Sequence, residues 1–152
     1  VRYRMSDAVR LMFEYADPSP DRPRSAFYKR VVMADLEHVQ LKAQTAPEKL
    51  LRDMRSYQVE TGFLASSACA QLCGTGLRIP RAYHSVQRPC EDAPLQSKFA
   101  LVLEDFSPHD GWGQLGLLPP QEARAALAAL AHMHAFFWGL ESRDPALHAE
   151  LT

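Results

Sequence analysis

The sequence predicts an α+β domain: a twisted antiparallel sheet with one helix packed on it, then a connector and a second long helix. Three observations carry that expectation. Two early segments alternate apolar and polar residues around a proline-rich stretch, a helical stripe runs through residues 46–73, and a continuous apolar run of strand length stands at 99–103.

In the first segment Val9, Leu11, Phe13 and Tyr15 point one way, and Phe27 with the run from Tyr28 to Met33 forms the second strand. Between them, Asp17-Pro18-Ser19-Pro20-Asp21-Arg22-Pro23 lacks the N–H groups that a central ladder needs and reads as a hairpin loop. Val1-Arg2-Tyr3-Arg4-Met5 also alternates and is expected as a preceding strand. Residues 34–44 are polar and irregular and are expected to form a connection. Thr45-Ala46-Pro47-Glu48 then has the Thr-x-x-Glu spacing of a capping box, which predicts a helix start. Leu50, Met54, Tyr57, Leu64, Ala68 and Leu72 follow at helical spacing, and Gly74 and Gly76 supply the stop.

The residue before Pro80 is pushed from helical angles, so 78–84 is expected to be extended, with a loop after it. The run 99–103 reads as an interior strand, closed by Glu104 and Asp105. Pro119-Pro120 opens a helix on which Leu127, Leu130, Ala131, His134, Phe137 and Trp138 share a face. His134 on that stripe of Leu and Phe is expected to pack in a core rather than serve as a catalytic base. Gly139 ends the helix, and Asp144-Pro145 opens a short final one.

Composition narrows the function classes. With 152 residues, 47% of them apolar, the chain can bury a core. Its 17 Lys+Arg against 18 Asp+Glu leave a net charge of -1, with no field to collect phosphate backbones, so nucleic acid is not an expected partner. No apolar run approaches the roughly 20 residues of a membrane span. Three cysteines, Cys69, Cys73 and Cys90, do not make a disulfide scaffold and point to an intracellular, reducing setting. Cys69 and Cys73 lie four apart on the expected helix without further metal ligands, and read as small buried hydrophobes. The first residue is Val rather than Met, which leaves a preceding or removed segment open.

Two charged residues stand out. Lys29 is flanked by Phe27, Tyr28, Val31 and Val32, and either finds a carboxylate partner or points outward to water. Glu60 borders the apolar stripe of the 46–73 helix, where it can turn toward the sheet to meet a cation or reach out to solvent. Asp53, two turns earlier on a similar flank, is the competing partner.

Five pieces of the chain resemble a known family in order: Ser25-Ala26-Phe27-Tyr28-Lys29-Arg30-Val31, Tyr57-Gln58-Val59-Glu60-Thr61-Gly62-Phe63-Leu64, Ile79-Pro80-Arg81-Ala82-Tyr83, Leu101-Val102-Leu103-Glu104-Asp105-Phe106, and Leu130-Ala131-His132-Met133-His134-Ala135-Phe136-Phe137-Trp138. The first four resemble the small lobe of the kinase-like phosphotransferases, nearest the ecdysteroid-kinase-like and choline-kinase-like branch related to aminoglycoside phosphotransferases. The fifth is similar to the first helix of that family's large lobe. The resemblance implies a small lobe at 1–106, a connector at 107–119 and the start of a helical large lobe at 120–152. It implies ATP with Mg²⁺ as cofactors. Lys29 would hold the α/β-phosphates, Glu60 would pair with Lys29, and Leu103, Glu104, Asp105 and Phe106 would form the hinge whose backbone meets the adenine. The acceptor would be a small-molecule alcohol.

The chain departs from the family twice. Where a small or glycine-rich turn would cover the phosphates it has Arg4-Met5-Ser6-Asp7-Ala8, and Asp7 would repel phosphate. It also contains no Asn and no His-Gly-Asp, the groups that in this family accept the hydroxyl proton and hold Mg²⁺. These 152 residues are therefore expected to be inactive alone, as part of a kinase or as a non-catalytic scaffold or binding module within a larger assembly. Phe136, Phe137 and Trp138 occupy adjoining faces of the last long helix, and the rest of the large lobe or a partner protein is expected to cover them.

Overall fold

The computed structural model describes residues 6–17, 19–113 and 116–151, so the strand expected at 1–5 lies outside the described residues. The early alternation folds as a hairpin. β1 (Asp7–Met12) and β2 (Ser25–Val32) pair antiparallel from Asp7↔Arg30 to Met12↔Ser25. The Phe13 N–H donates to the Arg24 carbonyl at 3.0 Å and carries the pairing one step further. The loop is held by its own side chains: Tyr15 donates to the Pro23 carbonyl at 2.8 Å, and the Arg22 guanidinium lies 5.2 Å from the Tyr15 ring centre.

β3 (Ala82–Arg88) and β4 (Lys98–Glu104) complete a four-stranded antiparallel sheet in the order β1-β2-β4-β3. β4 is interior, as its continuous apolar run predicts. The third strand begins later than the expected 78–84 and runs through the stretch expected as loop. Pro80 has no N–H to give a ladder, and the polar Ser85 and Gln87 conceal the alternation.

The connection expected at 34–44 is a correction. A single 3-10 turn at Met33–Asp35 leads into α1 (Glu37–Thr45), whose apolar stripe is only Leu36, Val39 and Ala43 set among polar residues. Thr45 closes α1 instead of capping the next helix, because its hydroxyl donates back to the Leu41 carbonyl at 2.9 Å. The helix expected over 46–73 is two helices, α2 (Pro47–Ala65) and α3 (Ser67–Gly74). Ser66 divides them, its side chain accepting from the Cys69 N–H at 3.1 Å as an N-cap.

The residues form two compact units, Val1–Ala65 with Pro80–Asp105, and Ser66–Ile79 with Phe106–Thr152, so α3 groups with the C-terminal residues. In the sheet unit, α2 lies on the face that carries Lys29, Val31, Phe99 and Leu101. The core there is Val31, Met33, Leu36, Val39, Leu50, Met54, Tyr57 and Phe99, with the Tyr57 and Phe99 rings 5.9 Å apart. Lys42 Nζ meets Asp53 Oδ2 at 2.5 Å and fastens α1 to α2.

The second unit contains α3, α4 (Pro120–Phe137), α5 (Leu140–Arg143) and α6 (Pro145–Leu151). Gly139, at φ 66°, turns the chain from α4 into α5, a conformation that suits glycine. Asp144 accepts the Leu147 N–H at 3.0 Å at the start of α6. Ala68, Leu140 and Leu147 form the core, with Phe136, Phe137 and Leu151 packed on it. Glu150 accepts from the Ser67 N–H at 2.7 Å and from the Ser67 hydroxyl, and these bonds hold its carboxyl below the usual carboxylate range.

Phe136 and Phe137 meet edge-to-face at 4.9 Å and are half-buried against the core of this unit, whereas Trp138 is 82% exposed. His134 is exposed rather than packed, on the same outer stripe as Leu127, Leu130 and Trp138. Among the described residues no helix is long and apolar enough to cross a membrane.

The orientation of α2 is testable. Met54 is fully buried and Val59 is 69% exposed, so Met54→Ala is expected to cost about 2–5 kcal/mol and Val59→Ala less than about 0.5 kcal/mol in urea unfolding. Equal losses at both positions would mean that α2 is rotated from this arrangement.

Candidate functional site

The antiparallel register decides which side chains of the sheet share a face. Lys29 pairs across the ladder with Leu101 on one side and Ala8 on the other, and Leu101 pairs with Ser85. All four therefore point toward α2. Lys29 thus enters an apolar surface, where an ammonium without a counter-ion would be costly.

Glu60 supplies the counter-ion. Lys29 Nζ donates to both of its carboxylate oxygens, at 2.6 and 2.7 Å. The side chains are 22% and 36% exposed respectively, so the pair is neither a surface contact nor fully desiccated. The expected Lys29–Glu60 ion pair is present, and Asp53 does not compete for it because Lys42 engages Asp53.

The turn of α2 after Glu60 is seated on β3. Thr61 is buried, donates to the Tyr57 carbonyl at 2.8 Å, and through its own carbonyl accepts from Ser85 at 3.4 Å. At Gly62 a Cβ would stand 3.2 Å from Gln87 Nε2, so this turn of α2 lies close over β3. Together these contacts fix where Glu60 reaches the sheet. Beside the pair lies a shallow hollow open to solvent, with a volume of about 10 Å³, bordered by Lys29, Glu60, Val31, Tyr57, Phe99 and Leu101. Burial pushes the Tyr57 hydroxyl above its ordinary value, with the Asp53 and Glu60 charges adding to it.

Of the four residues expected as a hinge, Leu103 and Glu104 belong to β4. Leu103 pairs with Phe27 and Ala82, and the Glu104 N–H donates to the Arg81 carbonyl at 2.7 Å. Asp105 is the first residue past the ladder. Its Oδ2 accepts from Arg10 Nε at 2.5 Å and from Ser25 Oγ at 2.6 Å. The Arg10 guanidinium, helped by Ser25, holds the Asp105 carboxyl below the usual carboxylate range, and Arg10 is raised in return. Phe106 opens the second unit, where its ring stacks on Trp112 at 4.3 Å with the Arg78 guanidinium 5.4 Å from its centre.

Arg10 and Ser25 were not legible as site residues. Arg10 alternates within β1 like any outward charge, and only the register places it on the face that carries Lys29. Asp7, expected to oppose phosphate, instead meets Arg30 Nη2 at 3.4 Å. Cys69 and Cys73 lie one turn apart on α3, and burial together with Cys73 pushes the Cys69 thiol up to about 11. Among the described residues no group of three or more His, Cys, Asp or Glu is placed to hold a metal ion.

No protein-family model matches the chain, and no curated protein or solved structure matches it either.

Two measurements test this geometry. In a double-mutant cycle, Lys29→Met and Glu60→Gln are expected to be coupled by about 1–3 kcal/mol, whereas the exposed pair Arg55–Glu91, 3.6 Å apart, should show less than about 1 kcal/mol. Additive losses at Lys29 and Glu60 would contradict the pair. For Asp105 the folded-state value is depressed, so its stabilisation is complete above the ordinary carboxylate value of about 4 and is lost as pH falls through the folded value. Asp105→Asn should flatten the fall in unfolding midpoint as pH drops below about 4, and an unchanged slope would contradict it.

Proposed function

We propose that the chain is the amino-terminal portion of a kinase-like protein that transfers phosphate from ATP to a small-molecule alcohol. The observation that supports this reading best is the Lys29 ammonium held by both oxygens of Glu60, the Lys on an interior strand of an antiparallel sheet and the Glu on the helix packed over it. A lysine fixed in that way presents its remaining N–H to an anion without a search through side-chain conformations. The shallow hollow bordered by the pair opens to solvent. The adenine edge would meet the backbone from Asp105 onward, since Leu103 and the Glu104 N–H are engaged in the sheet.

Such a pair contributes to holding ATP, but phosphoryl transfer requires more. The 152 residues contain no Asn and no His-Gly-Asp, and no metal-holding cluster occurs among the described residues. The Mg²⁺ ligands and the acceptor of the hydroxyl proton would have to be supplied by groups beyond these. A kinase-like scaffold or binding module is the second reading. It is favoured by α4, on which no residue is buried and whose outer stripe exposes Leu127, Leu130 and Trp138. On either reading the rest of a large lobe or a partner protein covers that stripe.

Calorimetric titration with ATP tests the proposal. The chain is expected to bind ATP, and Lys29→Met to weaken binding roughly 10- to 100-fold, the loss of charge-assisted bonds to phosphate. Binding insensitive to Lys29→Met would overturn the assignment. With Mg²⁺ and a choline, aminoglycoside or steroid alcohol acceptor, these residues alone should give no phosphorylated product, and turnover would show that the catalytic groups have been misjudged.

A further inference from the structure

The helices of the sheet unit, α1 and α2, share a core with Val31 and Phe99, so both lie on the inner face, the one that carries Lys29. The outer face keeps the alternate residues of every strand. Its middle row crosses the sheet as Val9, Tyr28, Val102 and His84, and the adjoining row adds Ala100 and Val86. Tyr28, Val86, Ala100 and Val102 are half-buried, and Val9 is 51% exposed. At one end of this face Lys98 stands directly across the ladder from Arg88, and both side chains are exposed. Like charges placed opposite each other weaken a sheet unless an anion lies between them. Among the described residues no carboxylate takes that place. Glu91, in the loop that joins the two strands, meets Arg55, Asp7 and Asp35 meet Arg30, and Asp92 makes no ion pair.

We infer that the outer face of the sheet docks an amphipathic helix of a partner protein, which sets apolar residues over Tyr28 and Val102 and carboxylates over Arg88 and Lys98. A sheet face offers no backbone donor or acceptor, so whatever lies on it must satisfy its own backbone groups, as a helix does. The half-buried row calls for an apolar stripe, and the unpaired cations call for acids. Lys98 and Val102 are four residues apart on β4, about 13 Å, which a helix lying along the strand covers in about nine residues. The partner helix therefore carries its acids at one end, two to three turns from its apolar anchors. An anionic membrane is a poorer match, because Asp7 and Glu104 stand on the same face and would be pressed against it. This surface lies opposite Lys29 and does not depend on the reading of the Lys29–Glu60 pair.

The test uses two labelled helical peptides of about 18 residues, each with two Leu one turn apart and, about nine residues further on, either two Glu or two Lys one turn apart. Titrated by fluorescence anisotropy, the full wild-type chain is expected to bind the Glu peptide at least about tenfold more tightly than the Lys peptide. The double variant Arg88→Glu, Lys98→Glu exchanges one like-charged pair for another and is expected to invert that preference. Tyr28→Gln is expected to weaken both peptides about tenfold. Lys98→Glu alone turns the repelling pair into an ion pair and should raise the thermal midpoint by about 1–5 °C. A midpoint that does not rise shows that the two cations are already compensated, which overturns the inference. It is overturned equally by a wild type that binds neither peptide, by equal binding of both, or by a preference that the double variant leaves unchanged. Sedimentation with phosphatidylserine vesicles without binding of the Glu peptide would assign the face to a membrane instead.

Discussion

A positive charge on an apolar sheet face constrains everything around it. Lys29 shares its face with Phe27, Val31, Phe99 and Leu101, and the ammonium loses part of its water there, which makes a nearby carboxylate close to obligatory. That requirement determines how α2 can lie. The helix must bury Leu50, Met54, Tyr57 and Thr61 while presenting Glu60 at one point of the sheet, and few rotations about its axis satisfy both. The approach of Thr61 and Gly62 to β3 belongs to the same solution, because the turn that follows Glu60 has to come down on the neighbouring strand.

Three carboxylates divide the work of joining elements. Glu60 ties α2 to β2, Asp53 ties α2 to α1 through Lys42, and Asp105 ties the end of β4 to β1 and β2. Asp53 and Glu60 are seven residues apart, two turns on one flank, so either could face a cation on the sheet. The choice between them comes from α1, whose Lys42 reaches Asp53 and leaves Glu60 to Lys29. A helix that is inconspicuous in the sequence thus decides which acid serves the candidate site.

The parts of the fold legible in the sequence are those with strong periodicity. The hairpin, the interior strand at 99–103, the helix opened by Pro120 and the short helix after Asp144 follow from alternation, continuous apolar runs and proline positions. Elements with thin signals were hidden. α1 has three apolar contacts among polar residues, β3 sets the polar Ser85 and Gln87 on the face toward α2, and Ser66 breaks a helix whose stripe continues past it on both sides. At the candidate site, Lys29 and Glu60 could be singled out because each violates its local pattern. Arg10 and Ser25 violate nothing, and a polar residue on an edge strand acquires meaning only from register, which is a property of two strands together. On α4 the pattern showed a wide apolar surface but not how it divides. Phe136 and Phe137 lie half-buried against the core of Leu140 and Leu147, and His134 and Trp138 are exposed.

β1 shows what the Asp105 anchor does for the sheet. It is an edge strand, most of its residues are exposed, and both Val9 and Met12 lie largely in solvent, so apolar burial contributes little to holding it. Its attachment rests on ladder bonds to β2 and on the Arg10–Asp105 bond to the far side of that strand. Ladder bonds at an exposed edge exchange readily with water, whereas breaking the Arg10 bond leaves a shielded carboxylate with only the Ser25 hydroxyl as partner, which costs more. β2 is secured by burial and by α2, while β1 relies on its ladder to β2, the exposed Asp7–Arg30 contact and the Asp105 carboxylate. The first hairpin and the backbone at Asp105 are therefore coupled: a force that moves one must break or carry the other, through an ion pair that lies on the same face as Lys29.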